Sequence, residues 1–122
     1  MDNVEIYNCS QADTMKSAFR IEGSIPTAAN HSSLTNSVVH HGLGWGIHIK
    51  SSAHVHIQGN VVFGFKPLGV VFQTSMNLTF NDNIVAHITE REDFKVHKFV
   101  DRRGGVAACS LVEKDPCPML TV

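Results

Sequence analysis

The chain has 122 residues, ten basic and eleven acidic, for a formal net charge of −1. That length suits one domain with a modest core, and the balanced charge supplies no basic stripe, so no nucleic-acid partner is expected. No run of 18 apolar residues exists and no charged-then-apolar leader follows Met1, so neither a membrane span nor an export signal is legible in this chain.

An internal repeat organises the chain. Its first alternating stretch, "VEIYNC" (4–9), sets Val4 and Ile6 on one side. "AFRIEGS" (18–24) does the same with Phe19 and Ile21, and "SSLTNSVV" (32–39) with Ser32 and Leu34. After the glycines of "GLGWG" (42–46), "GIHIKSS" (46–52) points Ile47 and Ile49 one way. "HVHIQGNVVFG" (54–64) then lies over "NLTFNDNIVAH" (77–87) at an offset of 23, matching Val55, Ile57, Asn60 and Val61 to Leu78, Phe80, Asn83 and Ile84. The same offset brings "GIHIKSS" onto "GVVFQTS" (69–75) and leads back to Ser32, Leu34, Ser37 and Val38. A step of 28 completes the pattern in both halves, with Val4, Ile6, Cys9 and Ser10 in one and "AFRIEGS" in the other.

Alternation with a period of two specifies strands, and no amphipathic helix is present. Strands returning every 20–25 residues fit a leucine-rich repeat or a parallel β-helix, and the spaced leucines of the former are missing. The expected fold is all-β: a right-handed, single-stranded parallel β-helix of about four coils, starting near 3, 31, 54 and 77, on two inward-facing rows of strands. Coils would stack at roughly 4.8 Å, which sets Asn60 and Asn83 in register for an amide ladder. The charged stretch 89–104 fits no strand phase and is expected to be an inserted loop. "GVAAC" (105–109) resumes the pattern of "GIHIK", and "PMLTV" (118–122) resembles the coil start "SMNLTF" (75–80).

The blocks "VEIYNCSQADTMKSAFRIEGS", "SVVHHGLGWGIHIKSSAHVHIQGNVVF", "GVVFQTSMNLTFNDNIVAHI" and "GGVAACSLVEKDPCP" resemble the fibrocystin family, its fibrocystin-L branch in particular. The "HHGLGWGI" block makes the likeness more specific than the repeat does. The resemblance implies a very large extracellular, receptor-like protein on one membrane span, with immunoglobulin-like modules, G8 domains and parallel β-helix repeats. The G8 and β-helix combination recurs in the cell-surface hyaluronidases. No catalytic residue of those enzymes matches a position here. The expected role is a structural, ligand-contacting ectodomain segment with no catalysis and no cofactor. Its partners would be flanking coils and an extracellular protein or glycan. The alternative is part of a carbohydrate-active β-helix that binds or cleaves polysaccharide.

Individual residues are weighed against that frame. Three sequons, at Asn8, Asn30 and Asn77, are candidates for glycosylation. Three cysteines leave at least one unpaired within the chain; Cys109 and Cys117 either pair locally in an oxidising setting or stay as thiols. His54 and His56 fall on the outer side, with His31 one coil before His54. Imidazoles are metal ligands, but a flat sheet does not close the tetrahedron of a structural site, so these are weak ligand-surface candidates and no metal is expected. "GLGWG" lacks the spacing and following helix of a phosphate loop and is expected to be a tight corner using the freedom of glycine. Trp45 is a candidate stacking platform, with packing favoured. Arg102 and Arg103 are candidates for a polyanion, though the acids around them nearly balance the charge. A glycosidase needs two opposed carboxylates, and no such pair emerges.

The chain starts and stops at the same coil phase with no polar cap, so it is expected to be a piece of a longer β-helix. Open ends expose strand edges. The isolated chain should therefore unfold broadly or aggregate on heating in calorimetry; a sharp, reversible monomeric transition contradicts the expectation.

Overall fold

The computed structural model describes residues 1–12, 14, 16–24, 30–66, 68–89, 104–107 and 120–121. Twelve strands are present in them: β1 (Glu5–Tyr7), β2 (Phe19–Glu22), β3 (Ser32–Thr35), β4 (Val38–His40), β5 (Ile47–Lys50), β6 (Ala53–Gln58), β7 (Val61–Phe63), β8 (Leu68–Gln73), β9 (Met76–Asn81), β10 (Ile84–Ala86), β11 (Gly104–Ala107) and β12 (Leu120–Thr121). They pair in parallel into three sheets of four. Sheet I has the order β1-β4-β7-β10, sheet II β11-β8-β5-β2 and sheet III β12-β9-β6-β3. The chain visits III, I and II in turn and returns to III, the path of a parallel β-helix.

The repeat suggested two rows of strands, and the structure has three. The extra row is the brief apolar stretch after each Asn/Ser turn: Val38–His40, Val61–Phe63 and Ile84–Ala86 pair residue for residue. Three residues are too few to show a period in sequence, yet the parallel ladder to the neighbouring coil holds each of them extended.

The first coil also differs from expectation. Val4 and Ile6 do not join Ser32 and Leu34 in sheet III. Instead β1 pairs with β4, Ile6 opposite Val39, at an offset of 33. The step is 28 between β2 and β5 and 23 between β3 and β6. Two longer corners thus shorten the offset strand by strand, and the 28-residue step holds only for the second half. An apolar Ile6 suits either inward column; the choice falls to hydrogen bonds, Val38 N–H to Val4 O and Val4 N–H to Ser37 Oγ. The rim of β3 is met by Met1–Asn3, through an Asp2–Thr35 bridge and Asn3 N–H to Thr35 O.

Gly105, Val106 and Ala107 continue sheet II, Val106 opposite Val70, and Leu120 pairs with Leu78 in sheet III. Thr89 still bonds to the coil at Phe65 O and Gly104 already lies in β11, so both ends of the expected loop belong to coils. Its interior, 90–103, lies outside the described residues.

Inward side chains of all three sheets make one core: Leu34, Ile57 and Leu78 from III, Val39 and Val62 from I, Ile47, Ile49, Val70 and Phe72 from II, and Phe65 at a corner. Removing these apolar groups from water is the main favourable term. Polar ladders line the corners. Asn60 Oδ1 accepts from Ser37 N–H, and Asn60 Nδ2 donates to Leu34 O and to Asn83 Oδ1. Asn83 repeats the motif one coil on, accepting from Asn60 N–H and donating to Ile57 O. A second ladder uses hydroxyls: Ser24 N–H bonds Ser52 Oγ, and Ser52 N–H bonds Ser75 Oγ. Corners also need positive φ. Asn36, Gly59 and Asp82 supply it after sheet III, Asn8, His41, Gly64 and His87 after sheet I, and Gly23, Ser51 and Thr74 after sheet II. Gly tolerates the left-handed region best, followed by Asn, Asp and His, whereas the β-branched Thr74 at φ 49° is an outlier there.

On the outer side of sheet II, His48 is fully buried beside Trp45, Leu68 and Val71. Its ring lies 5.0 Å from Trp45, edge to face, and its Nε2 is 3.1 Å from Gln73 Oε1. That oxygen can only accept, so Nε2 carries the proton and Nδ1 is a buried acceptor with no partner. Burial, against the Gln73 hydrogen bond and with the charges of Arg20 and Lys50, lowers the His48 pKa from 6.5 to about 4.

Two predictions follow from this packing. Asn60→Ala strands a buried N–H and a buried C=O, each worth about 1–3 kcal/mol, so urea denaturation should show a loss of about 3 kcal/mol and a clearly smaller one for the less buried Asn83→Ala. For His48, the unfolded chain binds the proton more readily than the folded one between pH 6.5 and about 4. Stability is therefore full above that window and falls as pH drops through it, by about 3 kcal/mol in all. Denaturation series at several pH values should show this slope shrink in His48→Leu.

Candidate functional site

The outer face of sheet I carries a ring stack that crosses three coils. Tyr7, His40 and Phe63 share one register column. Tyr7 and His40 stack at 5.6 Å and 13°, and His40 and Phe63 at 5.0 Å and 6°. His40 Nε2 meets Glu5 Oε1 at 2.9 Å, tying the stack to β1. His41 stands edge-on to Phe63 and touches His40 through its Nδ1.

Directly after that column the chain turns, and the corner opens into a recess of about 420 Å³ lined by Asn8, Ser10, His41, Gly42, Leu43, Gly64 and Lys66. Close-packed glycines frame the recess. A Cβ on Gly42 would sit 2.0 Å from Ser10 Oγ and 2.6 Å from the Phe65 ring, and Gly64, at φ +76°, leaves a gap in the side-chain column between His41 and His87. Ser10 is buried and accepts from Gly44 N–H. The lining holds an ammonium, an imidazole and an amide, and no carboxylate. Leu43 stands 63% exposed at the lip.

"GLGWG" is a corner, as expected, but for another reason: positive φ occurs at Gly23, Gly59 and Gly64, not at 42, 44 or 46. These three are glycine because neighbouring coils press against them; a Cβ on Gly44 would lie 2.4 Å from Gln11 O and one on Gly46 2.5 Å from Gly69 O. Trp45, 4% exposed, is packed and offers no stacking surface. His54 and His56 do point outward from β6, between the buried Ala53, Val55 and Ile57. His31 stacks on His56, not on its register neighbour His54, at 3.9 Å between ring centres. His54 sits at a left-handed kink that Asn77 repeats one coil on. Burial, and then the neighbouring His31 and His54, lower the His56 pKa. Among the described residues no three His, Cys, Asp or Glu side chains converge on a metal site.

The four described acids stand apart. Asp2 accepts from Thr35 Oγ1 and Asn36 Nδ2, which hold its carboxyl below the usual range. Glu5 faces His40, Asp82 sits in the turn after β9, and Glu22 pairs with Arg20 at 2.7 Å and, across coils, with Lys50 at 3.5 Å. Asn8, Asn30 and Asn77 are all exposed. Cys9 is an exposed free thiol. Arg102, Arg103, Cys109 and Cys117 lie outside the described residues.

The sequence pattern did not single out Tyr7, His40, Phe63, Leu43 or Lys66. His40 and Phe63 are 23 residues apart and were within its reach; Tyr7 was hidden by the 28-residue step, which aligned it with Thr35.

No curated protein and no solved structure matches the chain. The family model described as a right handed beta helix region matches residues 1–106. Three stacked parallel sheets with buried corner ladders are the architecture that description names, and the chain belongs to this right-handed β-helix family.

Proposed function

We propose that the chain is a structural and ligand-contacting segment of a large extracellular or cell-surface, receptor-like membrane protein of the fibrocystin type, nearest its fibrocystin-L branch, and that it performs no catalysis of its own. The ring stack Tyr7–His40–Phe63 with the open recess beside it carries the reading. Neither is required by the coil, and both face outward, where a partner could reach them. The resembling blocks run through these same coils, and the exposure of Asn8, Asn30 and Asn77 suits a glycoprotein. The separation of the four described carboxylates favours contact over cleavage, because glycoside hydrolysis needs two acids across one bond. The rival is a polysaccharide-cleaving β-helix.

Expression in a secretory host tests the two together. Endoglycosidase should lower the mass of the secreted chain by the equivalent of up to three N-glycans, and incubation with hyaluronan or pectin should release no reducing ends. A secreted chain with no glycan removes the glycoprotein assignment, and turnover of either polymer overturns the non-catalytic one.

A further inference from the structure

We infer that the adjacent imidazoles of His40 and His41 form a two-ligand site for a divalent transition-metal ion of the zinc type, with Glu5 orienting His40 from behind. The inference goes beyond the contact role and does not depend on it, since neither glycan nor polymer turnover bears on it. Convergence is the first observation. Successive side chains of a strand point to opposite faces, so a His-His pair in β4 would ordinarily be split. His41 instead takes a left-handed φ of 51° just past the end of β4, and its ring lies on the same side as that of His40. The rings meet edge to face with centres 4.8 Å apart, and their Nδ1 atoms face one another within hydrogen-bond distance. Gly64 gives the His41 ring its room, because a Cβ there would meet His41 Cδ2 at 3.4 Å.

Orientation is the second. Glu5 Oε1 lies 2.9 Å from His40 Nε2. A carboxylate only accepts, so Nε2 carries the proton, and the lone pair of the neutral ring sits on Nδ1, the atom turned to His41. A metal-binding histidine commonly donates its other N–H in this way, which fixes its tautomer and raises its basicity. Tyr7 and Phe63 stack on His40 and hold its plane, and Phe63 meets His41 edge-on. Access is the third. His41 is exposed, so an ion reaches the pair from solvent. Two nitrogens each bound at about 2.0–2.1 Å to one Zn²⁺ stand roughly 3 Å apart, a separation that small ring rotations supply, with water filling the other positions. Neutral imidazole suits zinc, copper and nickel rather than calcium or magnesium. The His31–His56 pair differs: its rings are nearly parallel, so their lone pairs lie in separate planes and share no point. The Asn8 side chain is no ligand here; its backbone N–H bonds to the carbonyls of His40 and His41.

The test is a titration of the ¹⁵N-labelled full chain from a bacterial host with Zn²⁺ and, separately, Ca²⁺, at neutral pH under reducing conditions, read in long-range ¹H–¹⁵N spectra of the imidazole rings. Zn²⁺ should move the Nδ1 signals of His40 and His41 first, while His40 Nε2 stays protonated; Ca²⁺ should move neither ring. His40→Phe, which keeps the stack, and His41→Asn, which suits the left-handed turn, should each weaken Zn²⁺ at least tenfold with the remaining amide spectrum in place. Glu5→Ala should weaken it about tenfold, and Glu5→Gln, which still accepts from Nε2–H, by less. Cys9→Ser, which removes the exposed thiol, should leave the binding intact. Silence of both rings at a large excess of Zn²⁺ means that a plain hydrogen bond joins them and overturns the site. First shifts at His31, His54 or His56, loss of binding in Cys9→Ser, or an equal response to Ca²⁺ overturn it as well, and full binding in Glu5→Ala overturns the part given to Glu5. Each of these results leaves the contact role standing.

Discussion

The structure depends on how its corners satisfy the main chain. A parallel coil turns three times per circuit, and at each turn backbone N–H and C=O groups leave the sheet ladders while still close to the core. Unpaired, each would cost about 1–3 kcal/mol. Here the next coil supplies the partner. Asn60 takes Ser37 N–H and gives to Leu34 O, while Asn83 does the same for Asn60 and Ile57. Ser52 and Ser75 serve the corner after sheet II in the same way. Each coil is therefore incomplete without its neighbour, and the repeat is a statement of that mutual need.

This explains which parts were legible in the sequence. Asn60 and Asn83 were readable as a ladder because a buried amide at a fixed phase has few other uses. The inward pairs Val55/Ile57 and Ile47/Ile49 were readable because alternation over four or more residues is distinctive. Sheet I was not, since three-residue strands such as Val61–Phe63 carry no period of their own. The serine ladder was overlooked because serine is ordinary in turns. The misplaced β1 has the same origin: Ile6 fits any inward column, and only hydrogen bonds at Val4 and Ser37 decide among them.

Alternation predicts direction, not exposure. His48 lies on the outer side of β5, as the pattern of Ile47 and Ile49 requires, yet it is fully buried with Trp45, Leu68 and Val71. A second, smaller apolar cluster therefore sits outside the coil, over sheet II. Its histidine stays neutral under ordinary conditions because charging it there would bury a cation. Trp45 belongs to that cluster, which is why the single tryptophan offers no platform to a ligand.

Three kinds of position use up most of each coil. Inward columns must be apolar, ladder positions must carry an amide or hydroxyl, and left-handed corners favour Asn, Gly, Asp, Ser or His. What remains is the set of outward columns, and only there is the side chain free of the fold's demands. In sheet III that freedom yields the stacked His31 and His56, and in sheet II the ion pairs of Glu22. In sheet I it yields Tyr7, His40 and Phe63 in one register line, ending at Ala86. A coil would form as well with threonines there. Aromatic side chains held on an exposed face keep apolar area in contact with water, which the fold alone has no reason to do. The recess beside them is likewise not a demand of the turn, since the equivalent corner position of Gly42 one coil on is Phe65, which packs inward. The outward columns are where folding leaves a choice of side chain, and the aromatic column of sheet I runs beside the recess at the corner that follows it.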